Sequence, residues 1–191
     1  MTTPCERTFT VNGRTMTARC WHDSHKTPLL ALHGWLDNAA TFDLLAPLLS
    51  DFYIVALDFA GHGWSEHRAA GTRYHILDHV DDVLSIVNQL GWQRFTLMGH
   101  SMGAGVASLL SSALPERVEK LVMIEGLGPY TGKPEDAAKH LRTALLEWQE
   151  FSDKPRVIAT MEIAIQARMN GLLPVSEHAA RLLCTRGVKE V

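Results

Sequence analysis

The pentapeptide GHSMG at residues 99–103 constrains the fold more than any other part of this sequence. The apolar run at 95–98 precedes it, and the small apolar series at 104–110 follows it. A Gly-x-Ser-x-Gly motif between a short apolar run and a helix-forming segment predicts a strand, a sharp turn and a helix. We expect the hydroxyl of Ser101 to lie exposed at the carboxyl edge of a sheet. Side chains at positions 99 and 103 would collide with the neighbouring helix and strand.

Composition predicts one globular domain with a sizeable core. The chain has 191 residues, of which 46% are hydrophobic and 20% are charged. The net charge of −3 offers no electrostatic reason to propose a nucleic acid as partner, so we expect a small molecule. The first residues do not resemble a secretory signal, and no apolar run approaches the roughly 18 residues that a membrane span needs.

The spacing of the cysteines indicates the cellular compartment of the protein. Cys5, Cys20 and Cys184 form neither a CxxC pair nor a disulfide framework, which predicts a protein of the reducing cytoplasm. The sequence carries no signal for an oligomeric state.

The first half of the chain predicts a sheet with loops at one edge. Residues 7–12 and 14–21 flank Asn12-Gly13, a strong hairpin signal. The continuous apolar runs 28–32 and 53–57 are typical of strands buried on both faces, with a short helix around 41–49 between them. Both runs end in Gly-rich loops, which predicts a site at the carboxyl edge.

Strands and helices then alternate. Apolar residues recur at helical spacing over 76–90, a helix is predicted over 101–114, and residues 117–124 predict another strand. Alternating units of this kind predict an α/β fold with a mainly parallel, doubly wound sheet of about six strands.

Beyond Pro129 three helical segments follow without a convincing strand. The first starts at Pro134 and runs to about Phe151, and the second starts at Pro155. Ser176 can cap the third, which stops near Gly187. We predict a core over residues 1–129 and a helical lid over residues 130–191 that covers the carboxyl edge of the sheet.

A serine hydroxyl reacts only when a base takes its proton and preorganised donors hold the resulting oxyanion. Ser101 is the predicted nucleophile. The backbone N–H of Met102, directly after it, and that of Trp35, in the loop after the third strand, are the predicted donors. The indoles and methionines of the chain, Trp148 among them, could line an apolar pocket or belong to the plain core.

Three motifs in this order carry a resemblance to a known family. They are Leu32-His33-Gly34-Trp35, the loop Asp58-x-x-Gly61-His62-Gly63-x-Ser65, and the pentapeptide. From Leu29 to Pro129 the chain resembles the α/β-hydrolase superfamily. The segment 125–129 followed by a helical lid is most similar to that superfamily's serine hydrolase-like proteins.

The resemblance implies a Ser-acid-His hydrolase of carboxylic esters or related acyl substrates, without a metal or organic cofactor. It also implies substrate contacts for His33, Gly34, His100 and Trp148. Glu125 ends the strand after the nucleophile helix, where some relatives carry the triad acid, although a loop or capping carboxylate is an equal alternative. The resemblance implies that the loop with Asp58 and His62 braces the structure, so we assign neither residue a catalytic role.

The catalytic histidine is missing from its expected place. Superfamily order puts it after the serine and the acid, yet the later histidines, His140 and His178, lie on polar helix faces where a solvated role is expected. The side chain of His100 should point away from Ser101 toward the neighbouring strands. We therefore expect a chain that stops before the final core strands and is inactive alone. A non-catalytic ligand-binding or regulatory protein is the alternative.

Another reaction of the same residues, such as perhydrolysis, is a third hypothesis. Dehalogenation is disfavoured because similar dehalogenases use a carboxylate nucleophile where this chain has Ser101.

Overall fold

A six-stranded sheet forms the centre of the computed structural model, which describes residues 3–150, 157–171 and 173–189. The strands are β1 (Cys5–Val11), β2 (Arg14–Trp21), β3 (Thr27–Leu32), β4 (Phe52–Leu57), β5 (Phe95–His100) and β6 (Val118–Ile124). Their order is β1-β2-β4-β3-β5-β6. The first two strands run antiparallel, and β3 to β6 are parallel to one another. The predicted α/β fold with a mainly parallel sheet is confirmed.

Five α-helices accompany the sheet in the described part of the chain. They are α1 (Ile76–Leu90), α2 (Met102–Ala113), α3 (Ala137–Glu150), α4 (Met161–Met169) and α5 (Glu177–Gly187). None of them is long and apolar enough to cross a membrane. Each α-helix predicted after residue 75 has a counterpart among these five helices, with ends that differ by a few residues.

Apolar residues bury both faces of the sheet. On one face, Val83 and Ile86 of α1 and Val106 and Leu110 of α2 pack in the same cluster as Leu30 of β3. On the other face, Phe42 and Ala46 cover Trp21, Ala31 and Met98. Strands β3, β4 and β5 are therefore almost entirely apolar, as parallel strands covered on both faces must be.

The predicted helix around residues 41–49 is wrong. The segment instead forms two short 3-10 helices, Ala39–Phe42 and Ala46–Leu48. Pro47 has no N–H and so cannot donate the bond that an α-helix would require at that point. Asn38 caps the first of these turns by accepting a hydrogen bond from the backbone N–H of Ala40.

The helices after residue 130 differ in how they pack. No residue of α3 is buried. Helices α4 and α5 share a small apolar cluster built around Ile165, Ala180 and Cys184. Helix α4 begins at Met161 behind the cap Thr160, not at Pro155, and both Pro155 and Phe151 lie outside the described residues. Ser176 caps α5 as predicted, since its side chain accepts from the N–H of Ala179.

Strand β6 forms one edge of the sheet. Its residues Leu121 and Val122, together with Ile124, are more than a third exposed. An edge strand with exposed apolar side chains is a place where another chain can pair.

Candidate active site

Ser101 lies in a strained turn between β5 and α2. Its φ of 50° and ψ of −113° are outside the regions that non-glycine residues ordinarily adopt. The backbone N–H of Ser101 donates to the carbonyl of Ile124 at 2.9 Å, which extends the pairing of β5 with β6 into the turn. Strand, turn and helix follow one another as the pentapeptide predicts.

The two glycines of the pentapeptide allow backbones to touch. A Cβ on Gly99 would lie 2.3 Å from the carbonyl oxygen of Gly103, at the start of α2. A Cβ on Gly103 would lie 2.3 Å from the carbonyl oxygen of Leu32, at the end of β3. Any other residue would force backbone apart, so the collisions expected from the sequence are real.

The loop after β3 comes against this turn at Gly34. A Cβ on Gly34 would stand 3.0 Å from Nδ1 of His100 and 3.3 Å from Cβ of Ser101. The next residue of this loop, Trp35, has a largely exposed side chain. Met102 is the first residue of α2. The two residues expected to donate to an oxyanion thus lie on the two segments that flank Ser101.

A cavity of about 390 Å³ opens at Ser101. The carboxyl edge of the sheet forms one side of it, and α4, α5 and the segment between them form the other. Its lining residues are Gly34, Trp35, Asp37, Ala40, Thr41, Leu44, His100, Ser101, Glu125, Arg168, Leu173, Pro174, Val175, Ala179, Leu182 and Leu183. Two of the four expected substrate contacts, Gly34 and His100, are among them.

His100 lies between two carboxylates from the neighbouring strands' loops. Its Nδ1 is 3.7 Å from Oδ2 of Asp37, after β3, and its Nε2 is 3.7 Å from Oε2 of Glu125, after β6. Both distances are too long for a hydrogen bond. The imidazole therefore lies between the loops after β3 and β6 and forms part of the wall of the Ser101 cavity.

Glu125 follows β6 directly in a left-handed conformation, with a φ of 55°. Its side chain is 59% exposed and lines the cavity. A carboxylate here is available to a partner in the cavity, because no buried ion pair already engages it in the described part of the chain.

Asp37 and Arg168 form an ion pair that sequence reasoning missed. Asp37 is almost fully buried, and burial raises the pKa of its carboxyl, while the charge of Arg168 acts against that rise. Arg168 comes from α4, 131 positions away along the chain. No local pattern in the sequence marks such a pair.

Two of the expected substrate contacts need correction. His33 is fully buried, its Nδ1 lies 2.7 Å from the carbonyl of Gly34, and its Nε2 accepts from the N–H of Phe59 at 3.0 Å. Burial lowers its pKa well below the usual range, so it stays neutral and joins the loops after β3 and β4. Trp148 lies on α3, where the guanidinium of Arg73 is 4.7 Å from its ring centroid, and it does not line the cavity.

Asp58 acts as the brace that the resemblance implies. Its buried carboxylate accepts from the N–H of Ala39 at 2.7 Å, from the hydroxyl of Thr17 at 2.9 Å and from the N–H of Trp64 at 3.0 Å. Arg186 of α5 also donates to it, a partner that the sequence did not reveal. His62, in the same loop, contacts His33 with ring centroids 5.2 Å apart.

The later histidines lie away from Ser101. His140 is on α3 and His178 is on α5, and both are exposed. His178 faces a separate cavity beside Arg19 and Arg181. Among the described residues, His100 is the one histidine that lines the cavity at Ser101. The same residues contain no group of three or more side chains suited to hold a metal ion.

Comparison with known proteins gives the class to which this fold and site belong. The family model of the alpha/beta hydrolase fold matches residues 27–173. The chain is a member of the α/β-hydrolase family.

Two relatives show which proteins of this family the chain is similar to. The chain is 37% identical over 177 residues to the serine hydrolase-like protein of Danio rerio, a match that covers 90% of this chain and 54% of that protein. It is 35% identical to serine hydrolase-like protein 2 of Homo sapiens, with 91% and 57% covered. The chain thus spans about half the length of these relatives.

Solved structures show the same likeness. The hypothetical protein PA1622 from Pseudomonas aeruginosa PAO1 is 47% identical and superimposes with a TM-score of 0.92 over 97% of this chain and 66% of that one. The thioesterase domain from the curacin biosynthetic pathway is 25% identical, with a TM-score of 0.83 over 96% and 67%.

Proposed function

We propose that this protein is a serine hydrolase that acts on carboxylic esters or related small acyl substrates through an acyl-enzyme on Ser101. One observation carries the proposal: Ser101 occupies a strained turn at a cavity of about 390 Å³. A strained position is retained where function requires it. The names of the relatives are consistent with this class of enzyme.

In the proposed reaction, Oγ of Ser101 attacks the carbonyl carbon of the ester while a base takes its proton. The N–H groups of Met102 and Trp35 hold the oxyanion. The alcohol then leaves with a proton from the protonated base, and the acyl group stays on Ser101. Water, activated by the same base, hydrolyses this intermediate and releases the acid.

The acid that orients the base is proposed to be Glu125, whose exposed carboxylate lines the cavity. For the base we propose a histidine that sequence outside these 191 residues supplies in the complete enzyme. His100, the one described histidine at the cavity, lies against the loops after β3 and β6. On this proposal the 191 residues alone hydrolyse esters slowly or not at all.

We further propose that residues 1–129 are the catalytic core and residues 130–191 a lid. Support comes from the wall of the cavity, to which α4 and α5 contribute Arg168, Ala179 and Leu183. The three cysteines are free, which supports a place in the reducing cytoplasm.

A fluorophosphonate probe with a reporter group tests the nucleophile. Its phosphorus reacts with an activated serine hydroxyl, so a complete form of the enzyme should be labelled and its Ser101→Ala variant should not. Ser108 sits on α2 and bonds the carbonyl of Gly105, so Ser108→Ala is a matched control that keeps the label. Equal labelling of the parent and the Ser101→Ala variant would exclude Ser101 as the nucleophile.

A non-catalytic ligand-binding protein is the second candidate. The observation that favours it is that no described histidine other than His100 lines the cavity. Short-chain esters incubated with the 191-residue chain separate the two. Ester turnover above that of the Ser101→Ala variant supports catalysis with a base already present in these 191 residues. Tight ester binding without turnover, both in the 191-residue chain and in a longer form of the protein, favours the binding role.

A further inference from the structure

A second cavity, of about 230 Å³, is separate from the cavity at Ser101. One of its walls is a face of α5 that consists of His178, Arg181, Leu182 and Thr185. Residues at this spacing of three, four and seven positions lie on the same side of a helix. In the described part of the chain, Leu182 is the one residue that lines both cavities.

Trp64, in the loop after β4, supplies aromatic surface to this second cavity. The guanidinium of Arg186 lies over its indole, 4.3 Å from the ring centroid. Arg186 itself is not available to a ligand, because its nitrogens donate to Asp58 and Glu6 and its side chain is 1% exposed. Trp64, in contrast, is 44% exposed. A planar apolar group in the cavity therefore has indole surface to contact.

Two other arginines of the lining keep N–H groups that no described residue accepts. Arg19 of β2 donates through Nε and Nη1 to Glu6 and Asp43, so its Nη2 is left over. Arg181 donates through Nε and Nη2 to carboxylates of α4 and α5, so its Nη1 is left over. The side chain of Arg19 is 19% exposed and that of Arg181 is 49% exposed. A molecule in the cavity can therefore reach both guanidinium groups.

The lining of this cavity is rich in hydrogen-bond donors and contains no carboxylate among the described residues. Besides the two arginines, the exposed ring of His178 can donate. A wall of this kind favours a molecule that carries acceptors. A carboxylate is the best match, because its two oxygens fit the planar edge of a guanidinium and bonds between charged groups are the stronger ones.

Charge and size narrow the class of molecule further. Five carboxylates outside the lining pair with its three arginines, and they are Glu6, Asp43, Asp58, Glu162 and Glu177. They repel a doubly charged phosphate more than a singly charged carboxylate, so the monoanion fits better. Pockets for drug-sized ligands measure about 300–1,000 Å³. A cavity of about 230 Å³ therefore suits a smaller molecule, such as one ring with one carboxylate.

We propose that this second cavity is a binding site for a small aromatic monocarboxylate. The carboxylate accepts hydrogen bonds from Arg19 and Arg181, and the ring contacts Trp64 and Leu182. The site is separate from the proposed hydrolytic centre, and its occupancy does not depend on the reactivity of Ser101.

Benzoate is the probe, titrated into the 191-residue chain and followed by protein NMR. We expect saturable shifts of the indole N–H of Trp64 and of the backbone N–H of Thr185, with a Kd of about 1 mM. Benzamide has nearly the same shape without the charge, and it should bind about ten-fold more weakly. Equal affinity for the two probes, no saturable shift at Trp64, or shifts confined to Gly34 and Trp35 at the Ser101 cavity would overturn the site.

Arg181→Gln removes one of the two proposed donors. We expect the affinity for benzoate to fall about ten-fold or more, because a hydrogen bond between charged groups is lost. Arg142→Gln is the matched control, since it removes the same charge from an exposed position on α3, outside the cavity. Salt screens an exposed charge at a distance, so the control should bind benzoate within about two-fold of the parent. Equal affinity of the two variants, with circular dichroism like that of the parent, contradicts the role of Arg181 and overturns the site.

Discussion

Arg186 and Asp58 form a buried ion pair that fixes α5 to the loop after β4. Nε of Arg186 lies 2.9 Å from Oδ2 and 3.0 Å from Oδ1 of Asp58, and both side chains are essentially inaccessible. The far side of the guanidinium donates to Glu6 at 2.8 and 2.9 Å and covers the indole of Trp64. Arg186 thereby joins the first strand, the loop after the fourth strand and the helix α5, which lines the cavity.

Arg186→Met should destabilise the protein severely, because Asp58 would keep its buried charge without a cation. Loss of one partner of a buried pair lowers the free energy of unfolding by about 3–5 kcal/mol. Urea denaturation followed by circular dichroism measures the change. Asp58→Asn combined with Arg186→Met should recover part of the loss, and a single variant within about 1 kcal/mol of the parent would show that the pair is not needed.

Gly99→Ala should disrupt the turn at Ser101. The new Cβ would stand 2.3 Å from the carbonyl oxygen of Gly103, and backbone must move to accommodate it. Gly13→Ala is the matched control, since Gly13 has a positive φ but open space around its Cβ position. We expect Gly99→Ala to lower the midpoint of thermal unfolding clearly more than Gly13→Ala, and equal shifts would contradict the collision.

Acid should weaken the fold through buried histidines. Burial lowers the pKa of His79 from 6.5 to about 4, and that ring packs on Phe59 with centroids 4.8 Å apart. As the pH falls from about 6.5 to about 4, the unfolded chain binds a proton that the folded chain excludes, so the free energy of unfolding falls. One such group accounts for about 3 kcal/mol over that window.

Unfolding by urea at pH 7 and at pH 4, in the parent and in His79→Leu, measures this effect. The raised pKa values of Asp37 and Asp82 act in the opposite direction, but they are common to both proteins and cancel in the comparison. We expect the parent to lose more stability than His79→Leu between the two pH values. The same loss in both would show that His79 does not titrate in this way.

Asn38 links the loop at the cavity to α5. Its Nδ2 donates to the carbonyl of Leu183 at 2.9 Å, and its Oδ1 accepts from the N–H of Ala40. Asn38→Ser keeps a capping oxygen but loses the bond to α5, and one such hydrogen bond contributes about 0.5–1.5 kcal/mol to the free energy of unfolding. Hydrogen exchange of the α5 amides should accelerate while that of α1 stays constant, and unchanged exchange in α5 would contradict the link.

Much of the core was predictable because its signals are local. The Asn12-Gly13 hairpin, the apolar runs of β3, β4 and β5, and the cap of α5 depend on residues a few positions apart. The segment at 41–49 was mispredicted as one helix because its apolar residues mimic helical spacing, whereas Pro47 and the cap Asn38 favour two short turns.

The candidate site likewise contains features that local sequence predicts and features that depend on tertiary packing. The pentapeptide predicted the turn at Ser101, and Gly34 and His100 do line its cavity. The resemblance implied a substrate contact for His33, but burial and two hydrogen bonds make it a link between loops. Trp148 was expected there because it is apolar and aromatic, and only tertiary packing placed it elsewhere.

The sequence by itself determined the family, the order of strands and helices, and the strained turn that presents Ser101, because short-range sterics and hydrophobic periodicity fix these features. Only the tertiary structure decided which distant groups meet: Arg168 with Asp37, and Arg186 with Asp58 and Glu6. Ion pairs between residues more than a hundred positions apart depend on how helices dock on the sheet. No local pattern of residues encodes that docking.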